Sequence, residues 1–163
     1  MPYYGQDVRD SATISLGQPG PEHLRQVAEL RWGWAVERGH TSQEPLEKFA
    51  VAFAGWCHAH QQSHRCVVAL DADDAVVGFG FTVLTARVPT ASSAPRWSAD
   101  VQAVFVVPEL RNAGIGGRLV ERLVEVARES DAEHITVHSS PEAVTAYLRS
   151  GFVHDPLMLN RPL

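Results

Sequence analysis

The segment from Val104 to Leu119 constrains the fold of this chain more than any other part of its sequence. An apolar stretch ends at Pro108, a turn containing Gly114 and Gly116 follows, and a helical pattern begins directly after the turn. Such a turn leaves backbone N–H groups unpaired at a helix N-terminus, where the helix dipole favours anionic phosphate oxygens. Glycine keeps the approach open because it has no Cβ. We therefore expect this turn to bind a diphosphate, mainly through main-chain groups.

Two familiar phosphate-binding patterns do not fit this turn. A dinucleotide-binding loop requires a third glycine where Leu119 stands, and it comes early in a βαβ unit. A nucleotide-hydrolase loop requires Gly-Lys-Ser or Gly-Lys-Thr, whereas the single lysine of the chain, Lys48, is far from the turn. The pattern Arg111-x-x-Gly114-x-Gly116 instead resembles the acyl-coenzyme A loop of the GNAT superfamily of N-acetyltransferases.

A second segment carries the same resemblance. GNAT proteins commonly have an Asn-x-x-Ala stretch, then a tyrosine, and a Gly-Phe pair four residues after the tyrosine. Ala143, Tyr147, Gly151 and Phe152 fall on those positions, and Ser140 stands where asparagine is usual. The resemblance is strong from about Ser98 to Phe152 and only general before that.

The resemblance implies an α/β fold in a single domain over residues 1–163, with residues 1–10 as a flexible N-terminus. It implies a mixed, mostly antiparallel sheet in which the fourth and fifth strands splay apart, with the element order β-α-α-β-β-β-α-β-α-β. Alternating and helical apolar patterns locate these elements in the sequence. In the helix that follows the turn, Ile115, Leu119, Leu123 and Ala127 recur at helical spacing and are predicted to face inward. Strands are predicted over 12–16, 66–71, 76–88, 98–107, 134–139 and 152–161, and helices over 21–39, 43–62, 114–130 and 141–149.

The resemblance also implies an activity and a coenzyme site. A GNAT enzyme transfers an acetyl group from acetyl-CoA to a primary amine, which attacks directly in a ternary complex. The main chain of the fourth strand would meet the pantetheine arm, and the amide of Val106 would polarise the thioester carbonyl. The residues predicted to bind the coenzyme are Phe105, Val106, Val107, Arg111, Asn112, Ala113, Gly114, Ile115, Gly116, Gly117, Ser140 and Tyr147.

Three residues are candidates for proton transfer. By its register, Tyr147 is the candidate general acid for the departing thiolate; packing on the coenzyme is its structural alternative. Asp100 is a candidate base, and strand alternation places it on one face with Gln102, Val104 and Val106, too far from the thioester to act except through water. A solvated carboxylate at a strand end is the alternative. His138, late in the fifth strand, is a competing base, or simply a partly exposed histidine.

The acceptor site in this family borders the end of the first helix. Arg31, Trp34 and Glu37 are therefore predicted to contact the acceptor, although positions on the rim or at the end of a helix explain them as well. The acceptor is predicted to be a small molecule, with a protein or peptide as the alternative. A non-catalytic acyl-CoA sensor is the alternative from another functional class.

Composition limits the remaining functions. The chain of 163 residues has a net charge of −5, which argues against nucleic-acid binding, and it lacks an apolar run long enough to cross a membrane. Two cysteines without metal-like spacing indicate reduced thiols and a cytoplasmic protein. No metal is predicted, because His58 and His60 would point about 200° apart on a helix. The resemblance leaves a homodimer open.

Overall fold

The computed structural model describes residues 13–40 and 44–163. The described residues form a five-stranded sheet and four α-helices, and a short 3-10 helix follows the fourth strand. The strands are β1 Ser15–Gly17, β2 His64–Leu70, β3 Val76–Arg87, β4 Arg96–Val106 and β5 Ala132–Val137, and the helices are α1 Pro21–Glu37, α2 Leu46–Ala59, α3 Ile115–Glu129 and α4 Val144–Arg149. This order confirms the prediction as far as α4.

The strands follow one another across the sheet in the order β1-β2-β3-β4-β5. All neighbours are antiparallel except β4 and β5, which are parallel. The connection between β4 and β5 therefore needs a crossover, and α3 supplies it. None of the helices that the structure describes is both long and apolar enough to span a bilayer.

Helices cover both faces of the sheet. The apolar stripe of α3 lies on one face, where Ile115, Leu119 and Leu123 are completely buried. The helices α1 and α2 lie on the other face, where Val27 and Phe79 are completely buried. The inward positions predicted for α3 from its periodicity are thus confirmed.

A bulge interrupts β4 at Ala103, which has a left-handed φ of 56°. Gln102 pairs with Phe81 and Phe105 pairs with Phe79, so two residues of β4 stand opposite one residue of β3 between these pairs. An extra residue of this kind reverses the alternation of side chains. The predicted common face of Asp100 with Val104 and Val106 is therefore wrong: Val104 and Val106 pack on the α3 side. Asp100 lies on the face that carries α1 and α2.

The pairing of β4 with β5 ends part-way along β4. It runs from Trp97 and Ala132 to Val101 and Val137, where β5 itself ends, and β4 continues to Val106 paired with β3 only. Beyond the last pair, no strand of the described residues lies on the free side of β4, and this opening is the gap between β4 and β5 that the resemblance implied.

Two predicted elements are corrected by the structure. Residues 152–163 form no strand. Pro156 and Pro162 have no N–H to donate to a neighbouring strand. Val153 and Leu159 are 82% and 88% exposed, so they are not covered as strand residues of a core would be. The strand β5 ends at Val137, so His138 follows the strand and does not lie within it. Two predicted boundaries lie outside the described residues: the start of the first strand at Ala12 and the start of the second helix at Gln43.

Candidate active site

The N-terminus of α3 has the geometry of an anion site. Gly114 forms its N-cap with a left-handed φ of 82°, and no side chain caps the helix. The carbonyl of Gly114 accepts the first hydrogen bond of the helix, from the N–H of Arg118 at 3.1 Å. The N–H groups of Ile115, Gly116 and Gly117 precede this bond, so they belong to the first turn that lacks partners within the helix. They are available to an anionic ligand.

The glycines keep the space beside these N–H groups open. A Cβ added at Gly114 or Gly117 would meet no atom within 4 Å, and one at Gly116 would lie 3.9 Å from Cγ2 of Val106. Arg111, Asn112 and Ala113 precede them as exposed residues. The turn therefore has the room and the donors that a diphosphate requires, and it adjoins the end of β4.

At the end of β4, the backbone polar groups of successive residues point in opposite directions. The N–H of Val107 donates to the carbonyl of Val77 at 2.9 Å, towards β3. Alternation along the strand turns the polar groups of Val106 in the opposite direction, into the gap. The Arg111 Nε group donates to the carbonyl of Val106 at 3.0 Å, and its guanidinium lies 5.6 Å from the ring centre of Phe105. The Val106 amide thus faces the predicted pantetheine path.

Tyr147 on α4 is half-buried at the edge of the core on the α3 side. Its ring contacts Phe152 edge-to-face, with 5.4 Å between the ring centres. Burial raises the pKa of the Tyr147 phenol, and the negative charge of Asp100 raises it further. The phenol therefore keeps its proton at neutral pH, as a general acid requires.

Asp100 lies where the two strands begin to separate. Its Oδ1 accepts a hydrogen bond from the Thr136 hydroxyl at 2.9 Å, and its Oδ2 accepts one from the Gln102 amide at 3.0 Å. The negative charge of Asp100 also raises the pKa of the Tyr147 phenol, so these two candidates for proton transfer lie within electrostatic reach of each other.

His138 and Ser140 lie in the connection between β5 and α4, where both are exposed. The carbonyl of Ser140 accepts the N–H of Ala143 at 3.0 Å. The pKa of Glu142 is lowered by its own backbone N–H and by the Ser140 hydroxyl, and Arg38 lowers it a little further. The charge of Arg38, which follows α1, thus acts on the pKa of a carboxylate that precedes α4.

The residues predicted to contact the acceptor divide into two groups. The Trp34 ring lies 5.3 Å from the ring of Phe105, and the Arg38 guanidinium lies 5.3 Å from Trp34 on α1. Glu37 is exposed at the end of the same helix. Arg31, in contrast, lies 5.9 Å from the ring of Phe79 in the packing between α1, α2 and β3.

The histidines near the end of α2 pack with an aromatic ring. His60 stacks on Trp56 with 4.4 Å between ring centres, and His64 lies 4.8 Å from the same indole. Within residues 13–40 and 44–163, no three His, Cys, Asp or Glu side chains are grouped so that they could hold a metal ion. The absence of a metal site stays a prediction for the whole chain.

Sequence reasoning missed Arg38, Thr136 and Glu142. Thr136 acquires its significance only through the register that pairs it with Asp100. Arg38 and Glu142 are more than 100 positions apart in sequence, so the effect of the Arg38 charge on the pKa of Glu142 depends on the tertiary fold. For Arg38, the one available signal was its position at the end of a helix. A cation there also stabilises the helix dipole, so the position alone does not indicate a functional role.

Comparison with known proteins assigns this arrangement to a family. The model of the acetyltransferase (GNAT) domain matches residues 37–157, which is most of the chain. The chain belongs to the GNAT acetyltransferase family. The matched part contains the α3 turn, the gap between β4 and β5, and Tyr147.

Relatives of this GNAT chain are distant in sequence. An uncharacterized N-acetyltransferase, ycf52, of Pyropia yezoensis is 27% identical over 118 residues, which are 70% of this chain and 58% of that protein. The ycf52 protein of Porphyra purpurea is 26% identical over 66 residues, 40% of this chain and 38% of that protein. The chain thus spans little more than half the length of the first of these curated relatives.

Solved structures share the fold of this GNAT domain. An acetyltransferase of Trypanosoma brucei superposes with a TM-score of 0.72 at 18% identity, covering 92% of this chain and 99% of the other. A predicted acetyltransferase of Clostridium acetobutylicum, solved with acetyl-CoA, gives 0.72 at 13% identity, covering 91% and 96%. Glucosamine-6-phosphate N-acetyltransferase from Arabidopsis thaliana gives 0.70 at 14% identity, covering 92% and 98%.

Proposed function

We propose that this protein transfers the acetyl group of acetyl-CoA to a primary amine of a small molecule by direct attack in a ternary complex. The observation that carries the proposal is the junction of two features. The uncapped N-terminus of α3 adjoins the gap between β4 and β5, since a Cβ on Gly116 would lie 3.9 Å from Val106. A diphosphate on the helix and a pantetheine arm along the strand would therefore be continuous.

The coenzyme would be held mainly by main-chain groups. The N–H groups of Ile115, Gly116 and Gly117 would bind the diphosphate, as the helix dipole favours anions there. The main chain from Phe105 to Val107 would bind the pantetheine arm in the manner of an added strand. Ser140, on the other side of the gap, would contact the coenzyme from the connection before α4. Acetyl-CoA supplies an activated thioester, which an amine can attack.

Two groups would assist the transfer. The N–H of Val106 points into the gap and would donate to the thioester oxygen as negative charge develops on it. Tyr147 would give its phenolic proton to the departing thiolate. Because burial and the charge of Asp100 raise the pKa of this phenol, Tyr147 is protonated when the thiolate departs.

The amine must lose a proton before or during its attack. Asp100 is our choice of acceptor, through water, because the Thr136 and Gln102 side chains hold its carboxylate at the mouth of the gap. His138 is the second choice, since it is exposed beyond the end of β5. No covalent relay is proposed: burial raises the pKa of both thiols, Cys57 and Cys66, which suits a packing role.

The acceptor would enter beside the end of α1. Trp34 packs on Phe105 at the side of the transfer point, and Glu37 and Arg38 flank the entrance. Arg31, deeper between the helices, would contribute positive charge behind Trp34.

The test is thiol release from acetyl-CoA with a panel of amines, polyamines, amino acids, aminoglycosides and lysine peptides. Saturable release with one class of small amine supports the proposal. Release with the peptides alone would replace it by protein acetylation. Tight binding of acetyl-CoA without release on any acceptor would favour the acyl-CoA sensor. Cytoplasmic location and a homodimer stay predictions, which fractionation and the mass in solution would check.

A further inference from the structure

The outer edge of β5 is open. Among the strands that the structure describes, β5 pairs with β4 alone, so the backbone groups on its other side have no strand to bond. A groove of about 830 Å³ follows this edge and is lined by β5, α3, α4 and the segment after α4. Val124 of α3 and Leu148 of α4 give it an apolar lining, and Leu148 is 43% exposed. The molecule therefore presents an unpaired strand edge beside an apolar groove.

The segment that follows α4 is exposed and rich in large apolar side chains. Every residue from 153 to 163 is exposed. Leu157 and Leu159 are 86% and 88% exposed, and Met158 between them is more than half exposed. Contiguous apolar exposure of this kind marks an interaction surface.

A turn at Asp155 separates the end of this segment from the groove of its own molecule. The N–H of Leu157 donates to Oδ1 of Asp155 at 2.8 Å, and the N–H of Met158 donates to the Asp155 carbonyl at 3.2 Å. Aspartate followed by proline favours such a turn, and Pro156 stands in the second position. Met158 is the last residue that lines the groove, and residues 159–163 do not line it. We call residues 157–163 the arm.

The arm has the properties of a strand without a partner. Pro156 and Pro162 bracket five residues, which span about 17 Å when extended at ~3.3 Å per residue. The six residues of β5 span about 20 Å on the same measure. Within the part of the chain that the structure describes, the N–H groups of residues 159–161 donate to no other group. The arm therefore offers the backbone groups and the apolar side chains that the edge of β5 lacks, with its prolines at the ends, where a strand tolerates them.

We propose that the arm of one copy of this chain adds as a strand to β5 of a second copy, which returns the same exchange. A two-fold exchange pairs both edges and covers both arms, whereas an unrelated partner would cover only one of these surfaces. Each copy contributes an arm and a groove, on the order of the 800 Å² per partner that a stable interface buries. Tyr147 lines the same groove, so the arm of the second copy would lie beside its ring.

The first test is the mass of the full chain in solution, measured by sedimentation equilibrium over a wide range of protein concentration. We expect the mass of two chains. Leu159→Asp should weaken the dimer at least about tenfold, because it would bury a charge against the apolar groove. Val88→Asp is the matched control, because Val88 is equally exposed, at 83%, but follows β3 outside this surface. A one-chain mass at all concentrations, or equal dimer affinity of Leu159→Asp and the original protein, would overturn the proposal.

The second test shows whether an arm meets the groove of the other copy. Leu148→Asp changes the groove and keeps the arm, whereas Leu159→Asp changes the arm and keeps the groove. Each variant alone should dimerise weakly. An equal mixture of the two should dimerise more tightly than either, because one of the two arm–groove pairs is then intact. A mixture that dimerises no more tightly than the separate variants would overturn the exchange, and an arm that folded back on its own β5 would give this result.

Discussion

The Thr136 hydroxyl donates a 2.9 Å hydrogen bond to Oδ1 of Asp100, one residue before β4 and β5 separate. The Gln102 amide donates to Oδ2 of the same carboxylate at 3.0 Å. Both oxygens of Asp100 are therefore oriented at the mouth of the gap through which the coenzyme would pass. In the proposed function, this geometry would let Asp100 accept the proton of the amine through water.

Asp100→Asn should move the activity to higher pH. An amide cannot accept the proton of the attacking amine, so the amine must lose its proton to solvent. We expect the acid limb of kcat/KM to shift upwards, with little change in coenzyme affinity. The measurement is the pH profile of thiol release, with Asp73→Asn in the β2–β3 turn as the control. A profile identical to that of the original protein would remove Asp100 from the mechanism.

Tyr147→Phe should lower kcat roughly tenfold, because a thiolate leaving group with a pKa near 8.5 needs only modest protonation. The substitution keeps the ring contact with Phe152, so coenzyme affinity should change little. Thiol release under saturating acetyl-CoA measures the effect, and direct titration measures the affinity. An unchanged kcat would reduce Tyr147 to a packing role.

Gly80→Ala should destabilise the protein by about 1–3 kcal/mol, the usual cost of overpacking. The added Cβ would lie 2.7 Å from Cδ1 of Leu123 and 3.2 Å from Cγ2 of Val104, where α3 packs on the bulged strand. Gly33→Ala is the matched control, because its Cβ would meet no atom within 4 Å on a helix. Urea unfolding measures both variants. Equal stability of the two would mean that α3 moves freely away from β3.

The Cys57 thiol should react slowly in the folded protein. Burial raises its pKa from 9.0 to about 11, although nearby Arg31 opposes the shift. The thiolate fraction at pH 8 is then about 100-fold lower than in the unfolded chain. Reaction of a Cys66→Ala variant with a disulfide reagent, with and without urea, measures this difference. Equal rates in both conditions would contradict the burial of Cys57.

The same pKa shift has a consequence for stability. Since the folded state holds the Cys57 proton more tightly, its contribution is complete below about pH 9 and is lost as the pH rises towards about 11. The free energy of unfolding should therefore fall across this alkaline range. In the Cys57→Ala variant, the free energy of unfolding should fall less over this pH range, because the contribution of the Cys57 thiol is absent.

Local patterns in the sequence predicted most of the fold. The apolar spacing of α3 predicted its buried stripe, and Ile115, Leu119 and Leu123 are buried as expected. The bulge at Ala103 was not predictable, because alanine gives no signal of a left-handed backbone. The closing strand was overpredicted from its two short apolar runs, Phe152–Val153 and Leu157–Leu159, and from the element order that the resemblance implies. That pattern does not show whether a neighbouring strand is available to pair.

The candidate site was predictable where it depends on one segment. The glycine turn and Tyr147 each belong to a short motif, so the sequence alone was enough to predict them as site residues. The bonds of Asp100 depend instead on the pairing of β4 with β5. The effect of the Arg38 charge on the pKa of Glu142 depends likewise on the tertiary fold, which no local pattern encodes.

The most direct test of the account is the affinity of the protein for coenzyme A, measured by calorimetric titration with two glycine variants. Gly116 and Gly33 both lie in helices with space for a side chain, but only Gly116 adjoins the proposed diphosphate. Gly116→Asp should weaken binding at least about 100-fold, because it places a negative charge against the diphosphate. Gly33→Asp should bind as the original protein does. Equal affinity of both variants would contradict the proposed coenzyme site.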